Sequence, residues 1–385
     1  MSISNRIKHI DTWRLLAVAL VIIYHVVSFS NFQHLSREFP AVAWRLAALG
    51  KFGVSIFFCI SGFVICRGLM QEQANTTTIS FTAFYLRRCL RLLPPLFLYV
   101  AALGVLGAYG LIQVTTFQLL QASFFLCNFK DLGDCGWYTG HTWSLAYEEQ
   151  FYLLFPLLFT IIGFLSRPKI LLLIITLLMA VAIFASNTAH PLVSEFCVTF
   201  VFMLSGCGFA LYWEKLEPIL SRTKPAVWMT GTTLMFIFAG LIVVPPPFSS
   251  FVGVVILPGF TCLVIFSTPM SHKYIQAFFG HSILSYIGKT SYSVYLWQQL
   301  ATASYPSMAA WCTLGFVVLV FIFSHYSYQY MERPLIKLGA KWSTWLKNVQ
   351  APVQGETGSH PYGDEPFVPQ REKMISAVIQ TRVQP

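Results

Sequence analysis

Charge is what this chain has least of. Asp, Glu, Lys and Arg make up 10% of its 385 residues, against roughly 25% in soluble domains. That scarcity excludes a large soluble domain, and no polar stretch long enough to surround a separate core is left over. Metal-binding patterns are also missing. The nine cysteines include no CxxC and no Cys/His spacing of the kind zinc requires, so no metal centre is expected. No internal repeat is visible, which disfavours a transporter built from inverted repeats. No cleavable leader is expected either, and the first apolar run is read as a retained helix. Arg6 and Lys8 precede an apolar run as in a signal peptide, but the run carries Arg14 and His25 and no small-residue cleavage site follows it.

What is present in quantity is apolar length: 56% of residues are hydrophobic and 16% aromatic. Runs of membrane-spanning length recur at 11–30, 46–68, 86–110, 143–165, 169–186, 194–213, 226–245, 251–269, 287–304 and 309–331. The fold class they predict is an all-α polytopic bundle of about ten transmembrane helices among membrane lipids. The net charge of +10 does not point to nucleic acid, because the basic residues gather at the ends of apolar runs. With the N-terminus in the cytoplasm, only Arg37, Arg45, Lys51 and Lys130 of the 25 Lys and Arg face outside. This bias predicts a multi-pass protein of a bacterial inner membrane with both termini cytoplasmic.

The longest connection, 111–142, lies outside, with a short surface helix expected over Thr116–Phe125. A second interfacial helix is expected around Lys273–Ile287. Residues 1–347 form the membrane domain, and the Pro- and Gly-rich stretch 348–385 reads as a disordered cytoplasmic tail. Seven cysteines fall in or beside apolar runs and serve as small hydrophobes. Cys127 and Cys135 lie in the outer loop, where they either pair or remain thiols.

Three constellations carry chemistry. Arg14 and His25 share the first span. Eleven helical steps return to within about 20° of the start and rise roughly 16 Å, so both lie on one face. Ionisable residues inside a bilayer are functional candidates. Glu148 and Glu149 enter the fourth span near its outer end. Counting from Trp143, Glu148 is about 8 Å in from the outer surface, and His25 is about 9 Å in. The equal depths predict that Glu148 orients the imidazole of a histidine base. Arg87, Arg88 and Arg91 open the third span at the inner surface, the level of Arg14, and suit phosphate groups.

The order of the motifs resembles the acyltransferase-3 family of integral membrane O-acyltransferases. Arg14 and His25 match its arginine–x10–histidine. Phe52-Gly-Val through Ser61-Gly62-Phe63 matches the FGV…SGF run, and Arg87-Arg88…Arg91 the basic start of the third span. Trp143-Ser-Leu-Ala-Tyr-Glu148-Glu-Gln-Phe-Tyr152 matches WSL..EEQFY. Ser291 to Trp297 matches SYSxYLW, and Glu332-Arg-Pro334 the closing ERP. Two departures stand out: Ser55 replaces a frequent acidic residue, and Gln298 follows Trp297 where many members have His. The C-terminal periplasmic hydrolase-like domain of some relatives is not expected here.

The resemblance implies transfer of an acyl group, most often acetyl from acetyl-CoA, to a sugar hydroxyl. Acyl-CoA is then a co-substrate with no tightly bound cofactor. Its charged end would rest on Arg14, Arg87, Arg88 and Arg91, and its arm would run along the first helix to His25. A saccharide or lipid-linked glycan acceptor would enter past Trp137, Tyr138, His141 and Trp143. Ser61 and Ser144 are candidates for stabilising the oxyanion. Two competing classes remain. Intramembrane His and Glu also build proton relays in transporters, and a structural subunit of a polysaccharide-assembly complex would not need His25.

Overall fold

The computed structural model describes residues 3–76, 78–164, 166–187, 191–241, 251–305 and 308–350. Regular structure among the described residues is helical throughout. The principal helices are α1 (Ile3–Phe29), α2 (Pro40–Thr76), α3 (Phe81–Ala108), α4 (Thr116–Ser123), α5 (Gly136–Gly140), α6 (Trp143–Ile162), α7 (Pro168–Asn187) and α8 (Pro191–Leu211). They continue as α9 (Pro225–Leu241), α10 (Leu257–Ser267), α11 (Lys273–Phe279), α12 (Ser282–Lys289), α13 (Ser291–Ala301), α14 (Ala310–Ser327) and α15 (Arg333–Gln350).

Seven helical segments among the described residues are long and apolar enough to cross a membrane: Lys8–Phe29, Pro40–Thr76, Phe81–Ala108, Gly136–Ile162, Pro168–Ser186, Val193–Leu211 and Ala310–Leu346. Two shorter apolar helices, Pro225–Gly240 and Val252–Ser267, accompany them. The outer faces are apolar: Leu153, Leu154, Leu157 and Leu158 of α6 and Leu172, Leu173 and Phe184 of α7 are exposed. Such stripes suit hydrocarbon, where each helix satisfies its own backbone. The fold is thus the expected all-α polytopic bundle.

Helix α1 lies inside the bundle, with Trp13, Ala17, Val18 and Val21 buried. It packs on α2 and α12, and α2 packs in turn on α8. The α2–α8 contact is backbone against backbone. A Cβ on Gly62 would stand 1.8 Å from the carbonyl oxygen of Met203, and one on Gly206 would stand 2.1 Å from that of Cys59. Only glycine permits this approach, a recurrent device in membrane helix packing. It holds Ser61, one residue before Gly62, at a fixed height on α2.

The expected ninth span, 287–304, is not one helix. Lys289, Thr290 and Ser291 interrupt the apolar run, and the chain breaks at Thr290 between α12 and α13. The 11 residues of α13 rise only about 16 Å, about half of a ~30 Å hydrocarbon core. The expected interfacial helix at Lys273–Ile287 is likewise two helices, α11 and α12. The fourth span begins earlier than Trp143, because α5 precedes it and the crossing segment starts at Gly136. The tail from 351 onward lies outside the described residues.

The 111–142 connection is pinned at several points. The surface helix is present as α4, opened by a capping box between Thr115 and Gln118. Cys127 and Cys135 are joined by a disulfide. Asn128 and Gln150 exchange amide hydrogen bonds of 3.0 and 3.1 Å, and Lys130 meets Glu195 at 2.6 Å. These ties set α5 against the C-terminal end of α1.

Candidate active site

A cavity holding about 660 Å³ of empty space, its open mouth included, lies among α1, α2, α3, α6 and α13. Its walls are apolar side chains such as Val54, Phe57 and Leu92, with charged and hydroxyl groups converging between them. Arg14 enters from α1, Ser61 from α2, Arg88 and Arg91 from α3, and Ser144, Glu148 and Tyr152 from α6. Ser291, Tyr292 and Tyr295 come from α13. Ser291 and Tyr292 belong to the first turn of α13, so the positive end of that helix adds to three guanidinium groups. The combination suits an anionic ligand, phosphate above all.

Three of the cavity's charged groups, Arg14, Arg88 and Glu148, have a partner. Arg14 reaches Asp11 at 3.3 Å. The Arg88 guanidinium lies 4.5 Å from the centre of the Tyr152 ring, a cation–π contact. Glu148 accepts a 2.7 Å hydrogen bond from Ser61 Oγ, and the charges of Arg88, Arg14 and Arg91 all act on it. Arg87 departs from the expected cluster. Its guanidinium bonds Glu72 at 3.1 Å and the Ser343 hydroxyl of α15, and it does not line the cavity. Arg88 and Arg91 both line the cavity, while Arg87, although four residues from Arg91 and near its face, is drawn away by Glu72 and Ser343.

His25 lies further along α1. Its ring is 5.7 Å from that of Trp137 on α5 and 5.9 Å from Phe29. Its Nδ1 pairs with Gln298 Oε1 of α13 at 2.9 Å. The expected orienting partner, Glu148, is engaged in the arginine cavity instead. The reason is depth. Counted from Gly136 rather than Trp143, Glu148 is about 18 Å from the start of its crossing segment, which brings it towards the level of Arg14.

The other expected residues fall into two groups. Trp137 meets the His25 ring edge to face, packs at a tilt on Phe29, and donates from Nε1 to the Gln299 carbonyl at 3.0 Å. Tyr138 is tied to α3, its carbonyl accepting from Tyr99 Oη at 2.6 Å. His141 is buried between the rings of Tyr99 and Tyr295, and Trp143 packs on Phe58 and Tyr147. These two build the wall rather than an open face. Ser61 and Ser144 do line the cavity, but both hydroxyls are engaged: Ser61 with Glu148, and Ser144 with Tyr295 Oη at 2.7 Å.

With this geometry in place, comparison with known proteins is decisive for the family. The model of the Acyltransferase domain family matches residues 7–327. The chain belongs to this family. Among curated relatives, it is 26% identical to the peptidoglycan O-acetyltransferase OatA of Listeria monocytogenes, over 86% of this chain and 56% of that protein. It is 27% identical to a putative O-acetyltransferase of Staphylococcus aureus strain COL, covering 88% of this chain and 59% of the relative. It is also 27% identical to the O-acetyltransferase OatA of Staphylococcus aureus strain NCTC 8325, covering 88% and 58%. The chain therefore spans under three fifths of the length of these relatives. No solved structure matches it significantly.

Sequence reasoning missed Tyr152, Tyr292, Tyr295 and Gln298 as members of the site. A signal existed for the tyrosines. Tyr152 is four residues after Glu148, and Tyr295 is four after Ser291, spacings that share a helix face. Gln298 stood out only as a departure from a family pattern.

Proposed function

We propose that this chain is an O-acyltransferase of a bacterial inner membrane, with both termini cytoplasmic. It takes an acyl group, acetyl in the first instance, from acyl-CoA at the inner side. It passes the group to a hydroxyl of a saccharide or lipid-linked glycan of the cell envelope. The supporting observation is the alignment along α1 of an arginine-lined cavity and a held histidine roughly 16 Å further on. In this reading Arg14, Arg88 and Arg91 hold the phosphates of CoA, and Arg87 contributes only by fixing α3. The pantetheine arm runs along α1 and presents the thioester near His25. Trp137, in edge-to-face contact with His25, offers an apolar ring to a sugar.

The reaction then follows simple bookkeeping of atoms. The acceptor hydroxyl oxygen attacks the thioester carbon and forms the new C–O bond while His25 takes the hydroxyl proton. Collapse of the tetrahedral intermediate breaks the C–S bond. The imidazolium returns its proton to the departing thiolate, so the base is regenerated.

The test is purified full-length protein in nanodiscs, given radiolabelled acetyl-CoA and soluble peptidoglycan fragments. We expect saturable acetyl-CoA binding and label transfer. His25→Ala should keep binding but lower single-turnover transfer by about 10²-fold or more. A wild-type protein that does not bind acetyl-CoA, or a His25→Ala variant with full transfer, would overturn the proposal.

A further inference from the structure

We infer that Gln298 is a positioning residue that selects the tautomer of His25, placing the proton on Nδ1 and leaving Nε2 as the basic nitrogen. The inference rests on His25 being the base proposed above.

Gln298 is buried, with 1% of its surface exposed, and its side chain reaches from α13 to α1. A glutamine amide has one end that only accepts and one that only donates, so the end facing a neutral imidazole sets where that ring carries its hydrogen. Here the ends are sorted by a second amide. Gln298 Nε2 donates to Gln299 Oε1 at 2.8 Å, which turns Gln298 Oε1 towards His25 Nδ1 at 2.9 Å. Thr302 Oγ1, 3.4 Å from the same Oε1, has a shorter bond of 2.9 Å to the Gln298 carbonyl. An accepting oxygen bonds Nδ1 only when Nδ1 carries the hydrogen. The lone pair then resides on Nε2.

The same dipeptide also fixes the ring's surroundings. The Gln299 carbonyl accepts from Trp137 Nε1 at 3.0 Å, and Trp137 lies against one side of His25. Rotation of the imidazole would break the Gln298 bond and collide with packed aromatic rings. The choice of an amide has a chemical consequence. A carboxylate at this position would hold the imidazolium in an ion pair after proton uptake. The neutral Gln298 orients the ring without that charge, so the proton passes readily to a leaving thiolate.

Nitrogen NMR of protein carrying isotope-labelled histidine reads the tautomer directly, with the His25 signals identified by their loss in a His25→Gln variant. This readout does not depend on turnover. We expect a protonated Nδ1 and a bare Nε2 in the wild type, and a protonated Nδ1 in Gln298→Glu, which keeps an acceptor. Gln298→Leu should release the preference. Its kcat should fall roughly 10- to 100-fold with KM for acetyl-CoA unchanged, since a misplaced proton removes the base but not the donor site. A wild-type ring protonated on Nε2, or a Gln298→Leu protein that keeps the Nδ1 proton, would refute the inference. So would a Gln298→Leu protein that changes tautomer at unchanged kcat. If Gln298→Leu does not fold, the wild-type and Gln298→Glu spectra still decide. Full transfer by His25→Ala would instead remove the proposed base, leaving the tautomer result standing as a structural fact.

Discussion

Removing the charge of Glu148 while keeping its shape should make the protein less stable and its donor site tighter. In Glu148→Gln the hydrogen bond from Ser61, 2.7 Å long, keeps an acceptor. What disappears is the carboxylate on which Arg88, Arg14 and Arg91 act. Arg14 retains Asp11 and Arg88 retains the Tyr152 ring, so the loss is partial. None of the three stands in a direct ion pair with Glu148, and burial of the carboxylate works against their attraction. The net attraction lost is therefore modest, and about 1 kcal/mol is the reasonable expectation. For a chain of this size that corresponds to a fall of about 2 °C in Tm. Donor binding should move the other way. A CoA phosphate ~8 Å from the carboxylate is repelled by about 2 kcal/mol at an effective dielectric near 20. Losing that repulsion should tighten acetyl-CoA binding by roughly tenfold or more. Thermal shift and equilibrium binding on the purified protein, each with and without acetyl-CoA, give both numbers. The variant should melt earlier alone and gain more from the ligand than the wild type does. Unchanged melting together with unchanged affinity would refute the idea that Glu148 balances the arginines of an anion site.

Arg14→Ala should weaken acetyl-CoA binding by about 1.5–3 kcal/mol, the worth of a charged hydrogen bond, and Arg14→Lys should restore little if the contact is bidentate. Arg87→Ala should leave acetyl-CoA affinity unchanged and lower Tm instead, because Arg87 ties Glu72 and Ser343 outside the cavity; titration of the two variants side by side distinguishes these outcomes. A Cys127→Ser/Cys135→Ser double variant should retain reduced transfer, since the loop keeps its Asn128–Gln150 and Lys130–Glu195 ties, and a membrane-impermeant maleimide should label neither cysteine of the unreduced wild type. Gly62→Val should prevent recovery of monodisperse protein, because even its Cβ would stand 1.8 Å from the Met203 carbonyl; normal yield and melting would show that α2 and α8 can separate freely.

Much of this protein was legible from its sequence because a membrane restricts what a chain can do. Long apolar runs have one helical solution in hydrocarbon, so the all-α bundle followed from hydropathy. The eleven-residue interval from Arg14 to His25 placed both on one face of one helix, a property local geometry determines by itself. The placement of Arg14, Arg88 and Arg91 around one cavity also agrees with the reading of a basic cluster at one level. What one helix cannot specify is its rotation and height against its neighbours. Equal depth from assumed span ends suggested a His25–Glu148 pair, but α5 moved the true end of that crossing segment outward and lowered Glu148 into the arginine cavity. Arg87 and Arg88 are adjacent in sequence, yet about 100° of helical rotation sends one to Glu72 and the other to Tyr152. The break at Thr290 likewise emerges only where α12 packs on α1, and it is this break that sets α13 as a half-length helix carrying Gln298 to His25. Partners that lie 273 residues apart in sequence meet through packing, and only the tertiary structure decides which of them meet.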